Sequence, residues 1–171
     1  MNEIVLLPLE GVILGDKKIN LGMSVDEVKK VIGEPETVHN ASLYYFGNEL
    51  RIDLDGDKAE FIEFLGGADG ALQPAIYGVP AFKTGADELY SLLAEKNGRE
   101  INVSENGYSY AFLNISVGVY RESIPGNVEE MIAEAERDGF TMSAEDIAEE
   151  RKKAEFWATI GIGIREYYGK S

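Results

Sequence analysis

Residues 20–35 read Asn20-Leu-Gly-Met-Ser-Val-Asp-Glu-Val-Lys-Lys-Val-Ile-Gly-Glu-Pro35 and define a short helix together with both of its ends. Ser24 and Glu27, three residues apart, predict a capping box, in which each side chain accepts a hydrogen bond from the other residue's backbone N–H. Gly33 favours the left-handed conformation that ends a helix, and Pro35 prevents continuation. The apolar residues between these signals share one side of the helix: Val25, Val28, Val31 and Ile32. The stretch therefore predicts an amphipathic helix that packs on a neighbouring element.

Three strands are predicted after this helix, at 43–46, 49–55 and 59–65. Gly47-Asn48 separates the first two and is a strong signal for a hairpin turn. In the middle strand Leu50, Ile52 and Leu54 alternate with Arg51 and Asp53, which places the apolar and the charged side chains on opposite faces of a sheet. The helix therefore precedes an antiparallel sheet with one polar face.

The same order begins again at Thr84, 60 residues after Ser24. Thr84 and Asp87 predict a second helix cap, Asn97-Gly98 predicts the helix end, and strands are predicted at 108–113, 115–122 and 156–165. We therefore predict an α+β fold made of tandem repeats, each a helix packed on an antiparallel β-sheet. The first repeat covers 1–66, a Gly- and Pro-rich linker covers 67–80, and the second repeat covers 81–171.

An insertion at 125–155 separates the last strand from the rest of the second repeat. Val128, Met131, Ile132 and Ala135 form one helical stripe, Gly139 breaks it, and Ser143 with Asp146 predicts the cap of a second helix. This segment contains ten acidic and four basic residues, so its net charge is −6. The segment therefore predicts two acidic helices.

The charge of the whole chain limits its partners. The formal net charge is −15, which repels nucleic acid and anionic membrane surfaces but complements a basic protein. There is no Cys, and no apolar run approaches the length of a membrane helix. The first residues lack the basic start and cleavage site of a signal peptide, so we expect a cytoplasmic protein.

The patterns that could carry chemistry have simpler structural explanations. The acidic run 53–60 resembles a calcium loop, but its Gly falls at the fourth place and its twelfth residue is Phe64, so a hairpin turn is the better interpretation. His39 is the single histidine and cannot form a metal cluster alone. Asp53 and Asp55 lie two residues apart on one predicted strand and therefore share one face of the sheet. This pair of carboxylates is only a weak argument for a hydrolase. We assign no catalytic residue, metal or cofactor.

Two parts of the sequence resemble known families. Leu21-Gly-Met-Ser24, Val31-Ile-Gly-Glu-Pro35 and the strands after them resemble a repeat found in β-lactamase-inhibitor-protein-like (BLIP-like) domains and in the small lipoprotein of the bacterial outer-membrane assembly machine. The later motifs resemble poorly characterised bacterial proteins associated with toxin–immunity loci: Asn106–Phe112, Ile115–Arg121 and Phe156–Ile164. The resemblance implies the helix-on-sheet repeat and a protein-binding role. Inhibition of a β-lactamase is not implied, because those inhibitors are secreted and disulfide-bonded.

Strand alternation identifies a candidate interface. In 156–164 the even-numbered residues, including Ile160, are predicted to face the core, which puts Trp157 and Thr159 on the opposite, helix-free face. In 115–120 the same argument puts Ser116 and Tyr120 there. Arg51 and Asp53 are the corresponding residues of the first repeat. The alternative is that the insertion helices or the first sheet cover this face.

We therefore predict a non-catalytic protein-binding module, of the immunity or inhibitor type, that occludes a partner protein, and we expect this partner to be basic and toxin-like. The alternative function, from another class of protein, is a structural or assembly adaptor. An unrecognised hydrolase is the third possible function.

Overall fold

The computed structural model describes residues 3–98, 101–102 and 107–169, and it has the α+β architecture that the sequence predicts. In chain order the strands are β1 (Ile4–Leu7), β2 (Gly11–Leu14), β3 (Lys17–Asn20), β4 (Thr37–His39), β5 (Ser42–Tyr45), β6 (Leu50–Asp55), β7 (Lys58–Phe64), β8 (Ala75–Ile76), β9 (Val79–Pro80), β10 (Ile101–Asn102), β11 (Ser109–Phe112), β12 (Val117–Tyr120) and β13 (Thr159–Gly163). The helices are α1 (Val25–Ile32), α2 (Ala86–Asn97), α3 (Pro125–Arg137) and α4 (Ala144–Glu155). Two 3-10 turns lie at Gly67–Asp69 and Tyr167–Gly169.

A large antiparallel sheet has the strand order β10-β11-β12-β13-β7-β6-β5-β4. Its central pair joins β7 of the first predicted repeat to β13 of the second, so both predicted repeats share one continuous sheet. On each side of this pair a helix is followed along the chain by four strands, and α3 and α4 interrupt the second set before β13. The strand order is therefore symmetric about the central pair, while the sequence repeat itself stays a prediction.

A smaller sheet, β3-β2-β1-β8-β9, contains the N-terminal meander and part of the segment predicted as a linker. Strand β8 pairs in parallel with β1, with Ala75 opposite Val5. The Glu49 carboxylate accepts hydrogen bonds from the backbone N–H groups of Ala71 and Leu72, each at 3.1 Å, and so fixes the loop before β8. The 67–80 segment is therefore folded against the body of the protein, with Gly78 at φ 83° in the β8–β9 turn and Pro80 in β9 itself.

One apolar core contains side chains from both sheets and from helices α1 and α2. Its members include Ile4, Val12 and Ile76 from the small sheet, Ile52, Ile62 and Ile160 from the large sheet, Val28 from α1, and Leu89 and Leu93 from α2. Since apolar burial is the main favourable term in folding, this shared core binds the two predicted repeats to each other.

Helix α1 has the predicted capping box. The Glu27 N–H donates to Ser24 Oγ and the Ser24 N–H donates to Glu27 Oε1, both at 3.1 Å. Gly33 has φ 86° and its N–H donates to the Lys29 carbonyl at the helix end, as the sequence indicates. Tyr45 Oη of β5 donates to the Gly33 carbonyl at 3.0 Å, which ties the end of α1 to the large sheet.

The predicted cap of helix α2 is wrong. Gly85 is the N-cap residue and makes no side-chain cap, while the Thr84 hydroxyl donates to the Pro80 carbonyl at 2.7 Å. Thr84 lies one residue before the N-cap position, so its hydroxyl does not cap the free N–H groups of the first turn of α2. The helix end is as predicted, and the Asn97 side chain accepts hydrogen bonds from the N–H groups of Asn114 and Ile115, which fixes the β11–β12 turn.

Two matched substitutions test this difference between the caps. Ser24→Ala should lower the free energy of unfolding by about 1 kcal/mol, because it removes a cap hydrogen bond. Thr84→Ala should cost less than about 0.5 kcal/mol, because its hydroxyl caps no helix. Urea unfolding of both variants measures the difference, and equal losses would contradict the assignment.

Candidate functional site

We call the face of the large sheet that points away from α1 and α2 the outer face. A row of cross-strand partners runs over it, from Tyr44 through Arg51, Glu63, Gly161 and Gly118 to Ala111. The neighbouring residues along each strand, such as Ile52, Ile62 and Ile160, are fully buried in the core. The alternation expected from the sequence therefore holds along β6, β7, β12 and β13.

Arg51 lies at the centre of an ion network on the outer face. Its Nε atom is 2.9 Å from Asp53 Oδ1, and its terminal nitrogen is 3.0 Å from Glu63 Oε1. The Ser42 hydroxyl donates to Asp53 Oδ1 at 2.6 Å. The predicted interface residues Arg51 and Asp53 are therefore brought together, but they bind each other and Glu63 within the protein.

Glu63 is the outer-face carboxyl that the sequence analysis missed. Burial raises the pKa of Glu63 above its ordinary value, while the nearby Arg51 cation and a hydrogen bond from Thr159 act in the opposite direction. A carboxyl group with a raised pKa is chemically suited to general acid catalysis. The turn alone would place Ile62 opposite Arg51, and a bulge between Asp53 and Leu54 shifts the register so that Glu63 lies there instead, which no local pattern of residues indicates.

The chain's own C-terminal turn covers the glycines of the outer face. A Cβ atom on Gly118 would overlap the Tyr168 side chain, and a Cβ atom on Gly163 would overlap Tyr167. Tyr167 stacks on Phe61, with ring centroids 4.5 Å apart. The small-residue surface predicted from alternation is therefore filled by aromatic rings from residues 167 and 168, which the sequence analysis did not place.

Trp157 does not lie on the outer face, contrary to the prediction. Its side chain is 1% exposed, and its Nε1 atom donates to the Ala86 carbonyl at 3.0 Å, at the start of α2. Strand β13 begins at Thr159, so strand alternation does not extend back to residue 157. Trp157 is a core residue.

Of the other interface candidates, Ser116 is buried and Tyr120 is accessible. Ser116 is 1% exposed and its hydroxyl donates to the Ile164 carbonyl at 2.8 Å, so it is a structural residue. Tyr120 is 39% exposed and pairs across the strands with half-buried Thr159. Tyr120 and Thr159 line a groove of about 210 Å³. Its other lining residues include Glu63, Ser109, Gly118 and Tyr168.

The acidic run at 53–60 spans the β6–β7 turn, as predicted. Asp55 pairs with Lys58 across this turn, and Gly56 has φ 61°. His39 is exposed on β4. Among the described residues, no group of three or more His, Cys, Asp or Glu side chains is placed to hold a metal ion.

Helices α3 and α4 form a hairpin that is anchored at its base and open at its tip. Val128 near the start of α3 and Ala154 near the end of α4 are its buried residues. Exposure increases away from them: Met131 is 39% exposed, and Phe140, in the connection between the helices, is 69% exposed. The outer part of the hairpin therefore presents apolar side chains to solvent.

Helix α4 has the predicted cap: the Ser143 hydroxyl accepts a hydrogen bond from the Asp146 N–H at 3.0 Å.

Arg121 fixes the base of this hairpin, a role that no pattern in the sequence indicates. Its side chain is 8% exposed, its Nε atom donates to the Gly107 carbonyl at 2.9 Å, and its terminal nitrogen donates to the Ala154 carbonyl at 2.8 Å. The guanidinium carbon is 5.1 Å from the centre of the Trp157 ring. Asp87 lies 3.9 Å away but is 94% exposed, so that ion pair adds little.

The chain matches no protein-family model, no curated protein and no solved structure. The resemblance to BLIP-like repeats and to immunity-type proteins stays a prediction. Within the described residues, no helix has both the length and the apolar character needed to cross a bilayer.

Proposed function

We propose that the protein is a cytoplasmic, non-catalytic protein-binding module of the immunity or inhibitor type, which occludes a partner protein with its α3–α4 hairpin. One observation carries this proposal: the hairpin is buried only at its base, and Met131 and Phe140 are exposed farther out. Exposed apolar side chains surrounded by charged residues are a common feature of protein interfaces.

The outer face supports the proposal less strongly, because its polar groups already bind one another. Arg51, Asp53 and Glu63 form an internal network, and Tyr168 covers Gly118. A partner at that face would have to compete with these contacts. The apolar groups of the hairpin tip carry no such cost, since burying them removes apolar surface from water.

The test uses a partner captured from cells of the source organism on the immobilised full chain. The double variant Phe140→Ser/Met131→Ser should bind this partner at least about tenfold more weakly, because truncating apolar anchors typically costs more than 1 kcal/mol each. Val38→Ser is the matched control, since Val38 is 61% exposed on β4, outside the hairpin. Isothermal titration measures the affinities, and unfolding curves check that all variants are folded. Wild-type affinity in the double variant would exclude the hairpin as the interface.

The groove beside Tyr120 favours a second candidate, in which the outer face binds a partner. Loss of binding in Tyr120→Ala, but not in the hairpin variant, would select it. An adaptor would use both surfaces, so each variant would then lose a different partner. A hydrolase is supported only by the raised pKa of Glu63, and Glu63→Gln would abolish its activity.

A further inference from the structure

The two helices of the hairpin run antiparallel, and the apolar side of α3 is open beyond Val128, because Met131, Ile132 and Ala135 share this side and none of them is fully buried. Arg151 near the end of α4 binds Glu129 near the start of α3, with 2.8 Å between Nη1 and Oε1. Helices of 13 and 12 residues are each about 20 Å long. Ile132 and Ile147 are only partly buried along this length. Because amphipathic helices bury their apolar stripes against other helices, a third helix of similar length would close this side.

The charge of the hairpin specifies the character of that third helix. Residues 130–149 contain seven carboxylates and a single cation, Arg137. The three cations at the end of α4 already form ion pairs: Arg151 with Glu129, Lys152 with Asp69 and Lys153 with Glu150. The outer part of the hairpin is therefore strongly anionic, and a cationic ligand is the electrostatic complement.

Other occupants fit this surface poorly. A second copy of the chain would bring the same acidic hairpin and a net charge of −15 to the interface, which causes like-charge repulsion. Nucleic acid and anionic membranes are repelled for the same reason. A partner strand would need a free strand edge, and α3 and α4 offer none.

We propose that the hairpin binds a cationic amphipathic helix of its partner, which packs against α3 and α4 as the third helix of a bundle. This inference rests on the proposed function and narrows it to one class of partner segment. The apolar residues of the incoming helix contact the open side of the hairpin, and its Lys and Arg residues face the surrounding carboxylates.

The test uses a synthetic, fluorescein-labelled helical peptide of about 14 residues, composed of Leu on one face and Lys on the other. Fluorescence anisotropy of this peptide with the full-length wild-type chain should show saturable binding. The affinity should fall at least about tenfold in Phe140→Ser/Met131→Ser and remain unchanged in Val38→Ser. Glu130→Gln/Glu134→Gln should weaken the binding, as should raising the salt from about 50 to about 300 mM. A peptide of equal composition, with Leu distributed around the helix, should bind clearly more weakly.

Three outcomes would overturn the inference: no binding of the amphipathic peptide, equal binding of both peptides, or equal loss in the hairpin and Val38 variants. These outcomes are distinct from failure of the proposed function. If the captured partner loses affinity for the hairpin variant while the peptide does not bind, the function stands and the cationic helix is wrong. If the captured partner is insensitive to the hairpin variant, the proposed function is wrong.

Discussion

Trp157→Ala should lower the free energy of unfolding by about 3–5 kcal/mol, the usual cost of truncating a fully buried Trp. The indole is 1% exposed, packs edge-on to Tyr110 with ring centroids 5.9 Å apart, and donates to the Ala86 carbonyl. A chain of this size loses about 2–4 °C of melting temperature per kcal/mol, so the melting temperature should fall by roughly ten degrees. Differential scanning calorimetry measures this loss.

Two variants serve as controls for Trp157. Trp157→Phe keeps an aromatic ring but removes the N–H donor, so it should lie between the wild type and Trp157→Ala. Tyr120→Ala removes a ring that is 39% exposed and should change stability by less than about 1 kcal/mol. A Trp157→Ala protein that melts like the wild type would contradict the core assignment and return Trp157 to the outer face.

Arg121→Ala should cost about 2–5 kcal/mol of stability, because the carbonyl oxygens of Gly107 and Ala154 lose their donors. The Ala154 carbonyl lies in the last turn of α4, so the base of the hairpin should also loosen. Urea unfolding measures the global loss, and limited proteolysis should show faster cleavage within 125–155.

Charge and geometry can be separated at this position. Arg121→Lys keeps the charge but cannot place donors at both carbonyls, so most of the loss should remain. Arg165→Ala removes an exposed Arg and should have little effect. If Arg121→Ala and Arg165→Ala were equally stable, Arg121 would not be the anchor of the hairpin.

The local signals in the sequence predicted much of the fold. The capping box at Ser24, the strands β5, β6 and β7, and the end of α2 at Asn97-Gly98 all follow from short-range chemistry. The four-residue strands of the N-terminal meander were missed, because they are stabilised by pairing within a sheet that includes the distant strand β8. Short strands of this kind carry too little pattern of their own.

Thr84 and Trp157 show where local reasoning failed. Thr84 has the right spacing to Asp87, but the loop geometry starts α2 after Gly85. Trp157 lies two residues before β13, outside the strand, so the alternation of strand side chains does not apply to it. Its position is decided by tertiary packing against α2. In both cases a pattern was extended past the end of the element that produces it.

The candidate site was predicted in part. The acidic helices at 125–155 and the polar face with Arg51 and Asp53 were evident from the sequence. The cover over Gly118 could not be deduced, because it depends on the return of the C-terminal turn to the sheet. Glycine in a strand does indicate a close approach by another group, but it does not identify that group.

Hydrogen–deuterium exchange of the full chain, with and without its captured partner, tests the central claim most directly. Binding should slow exchange at backbone amides between residues 129 and 149, because a docked partner stabilises the outer turns of α3 and α4. The amides of α1, on the other predicted repeat, should exchange at unchanged rates and serve as the internal reference. Slower exchange confined to β11, β12 and β13, with the hairpin unchanged, would contradict the account and place the partner on the outer face.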